Sequence, residues 1–170
     1  MTTCDGVRHE ISEKWDLIIA HPPCTYLTVS ANKYYVEEKY GEKAVQRKKN
    51  REEAKEFFMQ FINADCEHIA VENPIGVMST AYRKPDQIIQ PFYFGDRERK
   101  ATCLWLKNLP NLISTDIVEP IIVYHSNGRT DGNLHYQTLS LPSTERSRIR
   151  SKTFPGIAKA MAEQWGRGLK

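Results

Sequence analysis

Cys24 and Glu72 are the residues whose types and sequence surroundings point most directly to chemistry. The apolar run Leu17–Ala20 stops at two prolines and then Cys24, and the apolar run Ile69–Val71 stops at Glu72. Short runs rich in β-branched residues are typical of buried strands, and proline cannot donate a ladder hydrogen bond. We therefore expect a thiol on the loop at the carboxyl end of one strand and a carboxyl group at the end of another, at the edge where α/β proteins bind ligands.

These two residue types suit nucleophilic catalysis, in which a thiolate attacks and an acid supplies a proton. The two strand ends are 48 residues apart, which leaves room for one crossover helix and a loop. Adjacent parallel strands would then bring Cys24 and Glu72 together. The competing interpretation is that Cys24 is an ordinary small residue of a loop.

The loop that contains Cys24 resembles the Pro-Cys loop of the DNA cytosine-5 methyltransferases, since Pro22-Pro23-Cys24 is followed by a small hydroxyl residue and an aromatic residue. Glu72-Asn73-Pro74 resembles the Glu-Asn-Val segment of the same family. The resemblance implies that Cys24 attacks C6 of a flipped cytosine, that Glu72 is the acid at N3, and that a methyl group is then transferred to C5. DNA is the implied partner.

Two later segments agree with this resemblance. Phe94-Gly95 and Arg97-Glu98-Arg99 stand where the family has an aromatic-Gly segment and an Arg-x-Arg pair, one arginine of which binds the cytosine O2. The family's glutamine before the arginines is missing, so the choice among Arg97, Arg99 and Lys100 stays open. Residues 141–155, which end in Phe154-Pro155, resemble the family's Thr-x-x-Glu-x-x-Arg…Phe-Pro segment.

The resemblance implies a site made of three sets of residues. The implied catalytic residues are Cys24, Glu72, Arg97 and Arg99. The implied substrate contacts are Pro23, Thr25, Asn73, Pro74 and Lys100. The implied contacts to S-adenosylmethionine are few, namely Asp5, His21 and Pro22. No metal site is expected.

The expected fold is an α/β fold of the truncated, Rossmann-like class I methyltransferase type, with a mainly parallel sheet and flanking helices in one domain spanning 1–170. No strand with a Gly-rich turn precedes Trp15, so the segment that binds S-adenosylmethionine is expected to be reduced or absent. We expect the chain alone to bind the cofactor weakly. A homo-oligomer, or a second chain that supplies the cofactor half, would use the sheet edge near residues 1–20.

Composition places the chain among ordinary globular proteins, with 170 residues, 40% of them hydrophobic and 26% charged. No apolar run is long enough for a membrane helix, and the first residues do not read as a signal peptide, so a cytoplasmic protein with reduced thiols and no membrane partner is expected. The net charge is +3, with an excess of basic residues between 129 and 170. Such an excess either attracts phosphate backbones or covers a solvated surface.

Two further stretches have open interpretations. The phenylalanine spacing predicts a helix over 42–63, on which the charged run Arg47–Arg51 is expected to be a solvated face rather than a DNA contact. Tyr26, Tyr34 and Tyr35 either stack on bases or cover the core. Residues 108–140 are the least informative third, with a polar loop expected over 125–133.

Three functions are compatible with these patterns. The first is a cytosine-5 methyltransferase-like protein of the small phage and prophage type. The second is a non-catalytic DNA- or nucleotide-binding relic of that fold, which acts as a decoy or regulator. The third is a zinc deaminase that uses His21, Cys24, Cys66 and His68, although the His-x-Glu and Pro-Cys-x-x-Cys patterns of that chemistry do not occur.

Overall fold

The computed structural model describes residues 14–168, so the expected cofactor contact Asp5 lies outside the described residues. The chain divides into two compact units. The first contains residues up to Gln87 together with Cys103–Asn111, and the second contains Ile88–Thr102 and the residues from Leu112 onward. The single domain expected from the length stays a prediction. Within residues 14–168, no helix is long and apolar enough to cross a membrane.

Within the described residues the sheet has four strands, and the first unit carries most of it together with three α-helices and one 3-10 helix. In chain order the elements are β1 (Leu17–Ala20), a 3-10 helix (Val29–Tyr35), α1 (Glu37–Tyr40), α2 (Glu42–Ile62), β2 (His68–Pro74), α3 (Met78–Ala81), β3 (Gln87–Ile89) and β4 (Thr102–Lys107). The strand order in the sheet is β1-β2-β4-β3. β1 therefore forms one edge of the sheet.

Strand direction differs in part from the prediction. β1 and β2 pair in parallel, in a register that runs from Leu17 opposite His68 to Ala20 opposite Val71. Among the strands that the structure describes this is the one parallel pair, and the other neighbouring pairs of the sheet are antiparallel. β4 is thus reversed between β2 and β3, while β1, β2 and β3 run in the same direction.

The mixed α/β class is confirmed, but the sheet is mainly antiparallel by pairing, where a mainly parallel sheet was predicted. The physical reason lies in β4, whose first four residues, Thr102–Trp105, are all buried. A strand buried on both faces reads as a continuous apolar run, and such a run indicates burial without indicating direction.

The core of the first unit lies between α2 and the sheet. Phe58 and Phe61 of α2 are buried, and Ala54, Phe57 and Ile62 pack partly buried against the same cluster. The Phe58 ring meets the Trp105 ring of β4 edge to face, with centroids 5.1 Å apart. These aromatic contacts stabilise helix and sheet beyond simple area burial. The predicted helix over 42–63 is confirmed to within one residue.

The second unit consists of short elements. It contains a 3-10 helix (Pro91–Tyr93), β5 (Ile122–Tyr124), β6 (Thr130–Gly132), α4 (Asn133–Gln137), α5 (Ser143–Arg150), α6 (Pro155–Trp165) and a last 3-10 helix (Gly166–Gly168). β5 and β6 form an antiparallel hairpin. α6 buries Ile157, Ala160, Met161 and Trp165.

Candidate functional site

The carboxyl ends of β1 and β2 bring His21 and Glu72 together. The parallel register pairs Ala20 with Val71, so the next residues of both strands lie side by side. His21 Nδ1 lies 2.8 Å from Glu72 Oε2, with the side chains 35% and 14% exposed. His21 was predicted as a cofactor contact, and the structure gives it a different partner. The imidazole orients a largely enclosed carboxyl group.

Asn73 fixes the loop that leads to Cys24. Its side chain is 2% exposed, and its Nδ2 donates a 2.8 Å hydrogen bond to the carbonyl of Pro22. Its Oδ1 is buried and has no hydrogen-bond partner among the described residues. A buried amide with one bonded end holds the backbone that it contacts, since breaking that bond would leave polar groups unpaired. Asn73, predicted as a substrate contact, thus has a positioning contact.

The chain beyond Cys24 is also attached to the end of β2. The carbonyl of Cys24 accepts hydrogen bonds from the N–H groups of Leu27 and Thr28, at 3.0 and 3.1 Å, which closes a tight turn. The carbonyl of Leu27 then accepts a 2.8 Å hydrogen bond from the N–H of Val77. The loop is therefore bound to the segment after Glu72 on both sides of Cys24.

Gly76 makes this attachment possible. A Cβ atom at position 76 would lie 2.1 Å from the carbonyl oxygen of Leu27, so any larger residue forces the two backbones apart. Thr28 and Gly76 form a β-bridge at the same place. Only glycine allows such a close backbone approach.

Two arginines of α2 hold the loop from the other side. Arg51 donates from Nε to the carbonyl of Tyr26 at 2.9 Å and from Nη2 to Oδ1 of Asn32 at 2.7 Å. Its guanidinium lies 3.5 Å from the centroid of the Tyr35 ring. Arg47 donates from Nη2 to the carbonyl of Thr25 at 3.2 Å. The expectation of a solvated helix face is wrong for these two arginines, because they bind the loop that follows Cys24.

The tyrosines of this loop surround the same arginines. The Arg47 guanidinium lies 5.1, 5.3 and 5.5 Å from the ring centroids of Tyr26, Tyr34 and Tyr35. Cation–π contacts of this kind order both partners. Base stacking by these rings stays a prediction, and their observed role is to support the loop. The arginine spacing of i and i+4 was the available sequence signal, since it puts both on one helix face.

The three described cysteines differ in their surroundings. Cys24 is exposed, whereas Cys66 and Cys103 are buried, and none is in a disulfide. Burial, and then the charge of Glu72, raise the pKa of the Cys103 thiol to about 11, so Cys103 is neutral at physiological pH. The Cys66 thiol donates to the carbonyl of Trp15 at 3.0 Å. Of the described cysteines, Cys24 is therefore the accessible one.

The remaining contacts predicted in the first unit show mixed exposure. Pro23 and Thr25 are exposed beside Cys24, Pro22 is buried, and Pro74 is half-buried at the end of β2. Exposure leaves Pro23 and Thr25 accessible to a ligand. Pro22 is a structural residue of the loop, since its carbonyl is bound by Asn73.

The three cations predicted near the cytosine O2 belong to the second unit and have separate roles there. Arg97 donates from Nε to the carbonyl of Glu119 at 3.0 Å. Lys100 donates from Nζ to the carbonyl of Arg150 at 2.9 Å. Arg99 lines a cavity of about 280 Å³. Arg97 and Lys100 are therefore engaged in structural contacts, and Arg99 faces an open space.

The residues of the zinc deaminase interpretation do not assemble into a metal site. His21 is bound to Glu72, and His68 Nδ1 lies 3.2 Å from the carbonyl oxygen of Asp16. Among residues 14–168, no group of three or more His, Cys, Asp or Glu side chains could hold a metal ion. A zinc deaminase needs three protein ligands, so this interpretation gains no support from the described residues.

Comparison of the chain with protein-family models, with curated proteins and with solved structures finds no match. The functional argument therefore depends on the geometry of the chain itself.

Proposed function

We propose that this chain is a DNA cytosine-5 methyltransferase-like protein of the small phage and prophage type, whose reaction begins with attack of Cys24 on C6 of a flipped cytosine. The observation that carries the proposal is the attachment of the Cys24 loop to the end of β2, on which Glu72 lies. Asn73 binds the loop before Cys24, and Val77 binds it after Cys24. Strand pairing and the loop hydrogen bonds thus tie the loop that contains Cys24 to the strand that contains Glu72, the two residues that the sequence resemblance selects.

The chemistry follows from the poor reactivity of a pyrimidine C5. Addition of a thiolate at C6 breaks the C5–C6 double bond and makes C5 enamine-like, so that C5 can take up an electrophile or a proton. Protonation of N3 by a carboxylic acid disperses the negative charge that the ring acquires. Cys24 supplies the exposed sulfur, and Glu72 supplies the carboxyl group, which His21 orients.

The fold part of the proposal is that the sheet represents one half of a Rossmann-like class I methyltransferase fold. Three features support it: β1 and β2 pair in parallel, β3 runs in their direction, and the candidate residues Cys24 and Glu72 lie after β1 and in the last residues of β2. Sheets that mix parallel and antiparallel strands are common among large sheets. Ligands bind outside the carboxyl ends of the parallel strands.

Two of the residues expected to contact S-adenosylmethionine, His21 and Pro22, have other partners in the described part of the chain. His21 is bound to Glu72, and Pro22 is buried with its carbonyl bonded to Asn73. We therefore propose that methyl transfer to C5 requires a cofactor site on a second chain or a second copy, next to the edge strand β1. A calorimetric titration of the purified chain with S-adenosylmethionine should then show weak binding or none. Micromolar binding by a monomer in light scattering would contradict this part.

The thiolate step can be tested without the cofactor. Addition of Cys24 to C6 lets C5 take a proton from water, and loss of the other C5 hydrogen followed by expulsion of the thiolate restores the cytosine. Duplex DNA that carries tritium at C5 of cytosine should therefore release tritium into water when wild-type protein is added. Cys24→Ser should abolish the release, and Glu72→Gln should reduce it by about 10²- to 10⁴-fold, the usual contribution of a general acid.

A matched control uses the buried thiol of Cys66, because Cys66→Ala removes a sulfur that is inaccessible in the folded chain. This variant should keep the tritium release. Covalent trapping on DNA that contains 5-fluorocytosine, with S-adenosylmethionine present, is the second readout. Tritium release that persists in Cys24→Ser would show that Cys24 is not the nucleophile. DNA binding without any release would favour the non-catalytic relic.

A further inference from the structure

The second unit contains a small polar cavity that the proposed cytosine chemistry does not use. Its volume is about 280 Å³, below the roughly 300–1,000 Å³ of pockets for drug-sized ligands, so it suits a small group. Its lining comes from the 90–101 segment, from β6 and from α4. The lining residues are Gln90, Arg99, Ala101, Thr130, Asp131, Gly132 and His135.

Hydrogen-bond donors dominate this lining. Among the described residues, the Arg99 guanidinium has no hydrogen bond or ion pair, so its five donors are available. Gln90 accepts a 3.0 Å hydrogen bond from the N–H of Lys100 at its Oε1, which leaves its amide N–H₂ group to donate. The hydroxyl group of Thr130 adds a further donor.

The one acid in the lining is already neutralised. Asp131 Oδ1 lies 2.9 Å from Nη2 of Arg129, and Asp131 Oδ2 lies 2.9 Å from Nε2 of His125. Its side chain is 10% exposed. A carboxylate held by two partners contributes little repulsion toward an anion in the cavity.

The surroundings of His135 are also cationic. Arg150 donates from Nη2 to the His135 carbonyl at 2.8 Å. Burial, and then the charge of Arg150, lower the pKa of His135, and the charges of Arg129 and Arg146 act in the same direction. The charge of Asp131 opposes them without reversing the shift. Several positive charges therefore act on this wall of the cavity.

Gly132 brings β6 against the backbone that carries Arg99. A Cβ atom at position 132 would lie 3.0 Å from the carbonyl oxygen of Arg99, which is tighter than nine in ten real Cβ contacts. A larger residue at this place would require the hairpin or the Arg99 backbone to shift by a few tenths of an ångström. The cavity wall and the guanidinium are thus held in one local arrangement.

We propose that this cavity binds a backbone phosphate group of DNA, with Arg99 as its main ligand and with Gln90 and Thr130 as additional donors. A guanidinium recognises phosphate through paired N–H donors, and a cavity of this size takes one phosphodiester group. The assignment gives Arg99 a phosphate contact in place of a contact to the cytosine O2. It rests on the proposed function only in its choice of DNA as the phosphate-bearing partner.

The test measures DNA binding separately from catalysis. A fluorescein-labelled duplex is titrated by anisotropy with full-length Cys24→Ser protein, without cofactor, at several salt concentrations. On this background Arg99→Gln should weaken binding about tenfold and reduce the slope of log K against log salt by about 0.9, the value for one lost phosphate contact. Arg99→Lys should keep the slope, because the charge remains, and should bind with intermediate affinity.

Lys159, an exposed lysine of α6 in the same unit, provides the matched control. Lys159→Gln should change neither affinity nor slope. Thermal unfolding of each variant shows whether it is folded, and Arg99→Lys is the variant to compare if Arg99→Gln is unstable. Unchanged DNA affinity and slope in Arg99→Gln, or no DNA binding by the parent protein, would overturn the proposal.

Inorganic phosphate separates the two possible sources of the anion. At constant ionic strength, replacing chloride by phosphate should raise the unfolding temperature of the Cys24→Ser protein slightly. The same replacement should leave the unfolding temperature of the Arg99→Gln variant unchanged. If phosphate stabilises the protein while Arg99→Gln binds DNA as tightly as the parent, the cavity is a site for a free anion. That result would overturn the assignment to DNA. Arg99-dependent DNA binding without tritium release would leave this proposal standing while the cytosine chemistry fails.

Discussion

His21 Nδ1 and Glu72 Oε2 lie 2.8 Å apart, although the two residues are separated by 51 positions in the chain. The parallel pairing of β1 and β2 produces this contact, since it aligns the first residue after β1 with a residue near the end of β2. The contact ties the loop of Cys24 to the carboxyl group that the proposed chemistry requires. It also predicts that the two side chains act as a unit.

Replacement of His21 should therefore reduce the contribution of Glu72 to the reaction without removing it. We expect His21→Gln to lower the rate of C5 tritium release less than Glu72→Gln does, because glutamine can still donate a hydrogen bond to the carboxylate. A double-mutant cycle with Glu72→Gln should give non-additive effects. Strict additivity would contradict the coupling.

The thiols should react with iodoacetamide in a fixed order. In a Cys4→Ser background at pH 8, Cys24 should be alkylated within the folded chain, because it is exposed. Cys66 and Cys103 should react only after unfolding in urea, since both are buried and burial raises the pKa of Cys103 to about 11. Mass spectrometry of tryptic peptides identifies the labelled residue. Fast labelling of Cys103 in the native protein would contradict the described core.

Sequence patterns predicted the elements whose signals are local. The apolar runs predicted β1 and β2, and the phenylalanine spacing predicted α2. β6 and α4 fall in a stretch with no such pattern, and a distant residue helps to fix them. Glu98 accepts hydrogen bonds from Asn133 Nδ2 at 3.0 Å and from the Leu134 N–H at 2.9 Å, which secures the start of α4. Contacts between residues 35 positions apart leave no periodic pattern in the sequence.

The candidate site could be predicted only in part for a related reason. Residue types and strand ends indicated Cys24 and Glu72, but the partners of their loops depend on tertiary structure. The approach of Gly76 to Leu27 and the hydrogen bonds from Arg51 to the loop connect segments that the sequence treats separately. Charge patterning alone cannot tell an arginine that binds a carbonyl from one that faces water.

Gly76→Ala should loosen the loop of Cys24. The added methyl group would lie 2.1 Å from the Leu27 carbonyl oxygen, so the backbone must shift, at a cost of about 1–3 kcal/mol in the free energy of unfolding. Gly166→Ala is the control, because a Cβ atom there meets no heavy atom within 4 Å. Urea unfolding measures both. Equal stabilities of the two variants would show that the loop is not held at Gly76.

Arg51→Lys should destabilise the same loop while keeping the charge. A lysine cannot donate from two forked nitrogens to Tyr26 and Asn32 at once, so we expect a loss of about 1–2 kcal/mol. Lys49→Ala, at an exposed position of the same helix, should change the free energy of unfolding by less than about 0.5 kcal/mol. Faster alkylation of Cys24 in Arg51→Lys than in Lys49→Ala would show that the loss is local to the loop.

His135 should make the stability of the protein depend on pH below about 6.5, the usual pKa of a histidine. Burial, and then the charge of Arg150, hold its pKa below the usual value of 6.5, so the unfolded chain takes up the proton first as the pH falls. The free energy of unfolding should therefore be unaffected by His135 above the usual pKa and should decrease as the pH falls from 6.5 toward the lower pKa of the folded state. Arg129 and Arg146 reinforce the shift, and Asp131 opposes it.

His135→Gln isolates this contribution, because the variant has no group that titrates at position 135. Burial would raise the pKa of Asp131, but the hydrogen bonds from Arg129 and His125 lower it below 3.8. The stability that ionised Asp131 contributes is therefore lost only at a pH below the range in which His135 acts. Urea unfolding at pH 7.5, 6.5 and 5.5 should show wild-type protein losing more stability than His135→Gln. Parallel pH dependences of the two proteins would contradict a lowered pKa at His135.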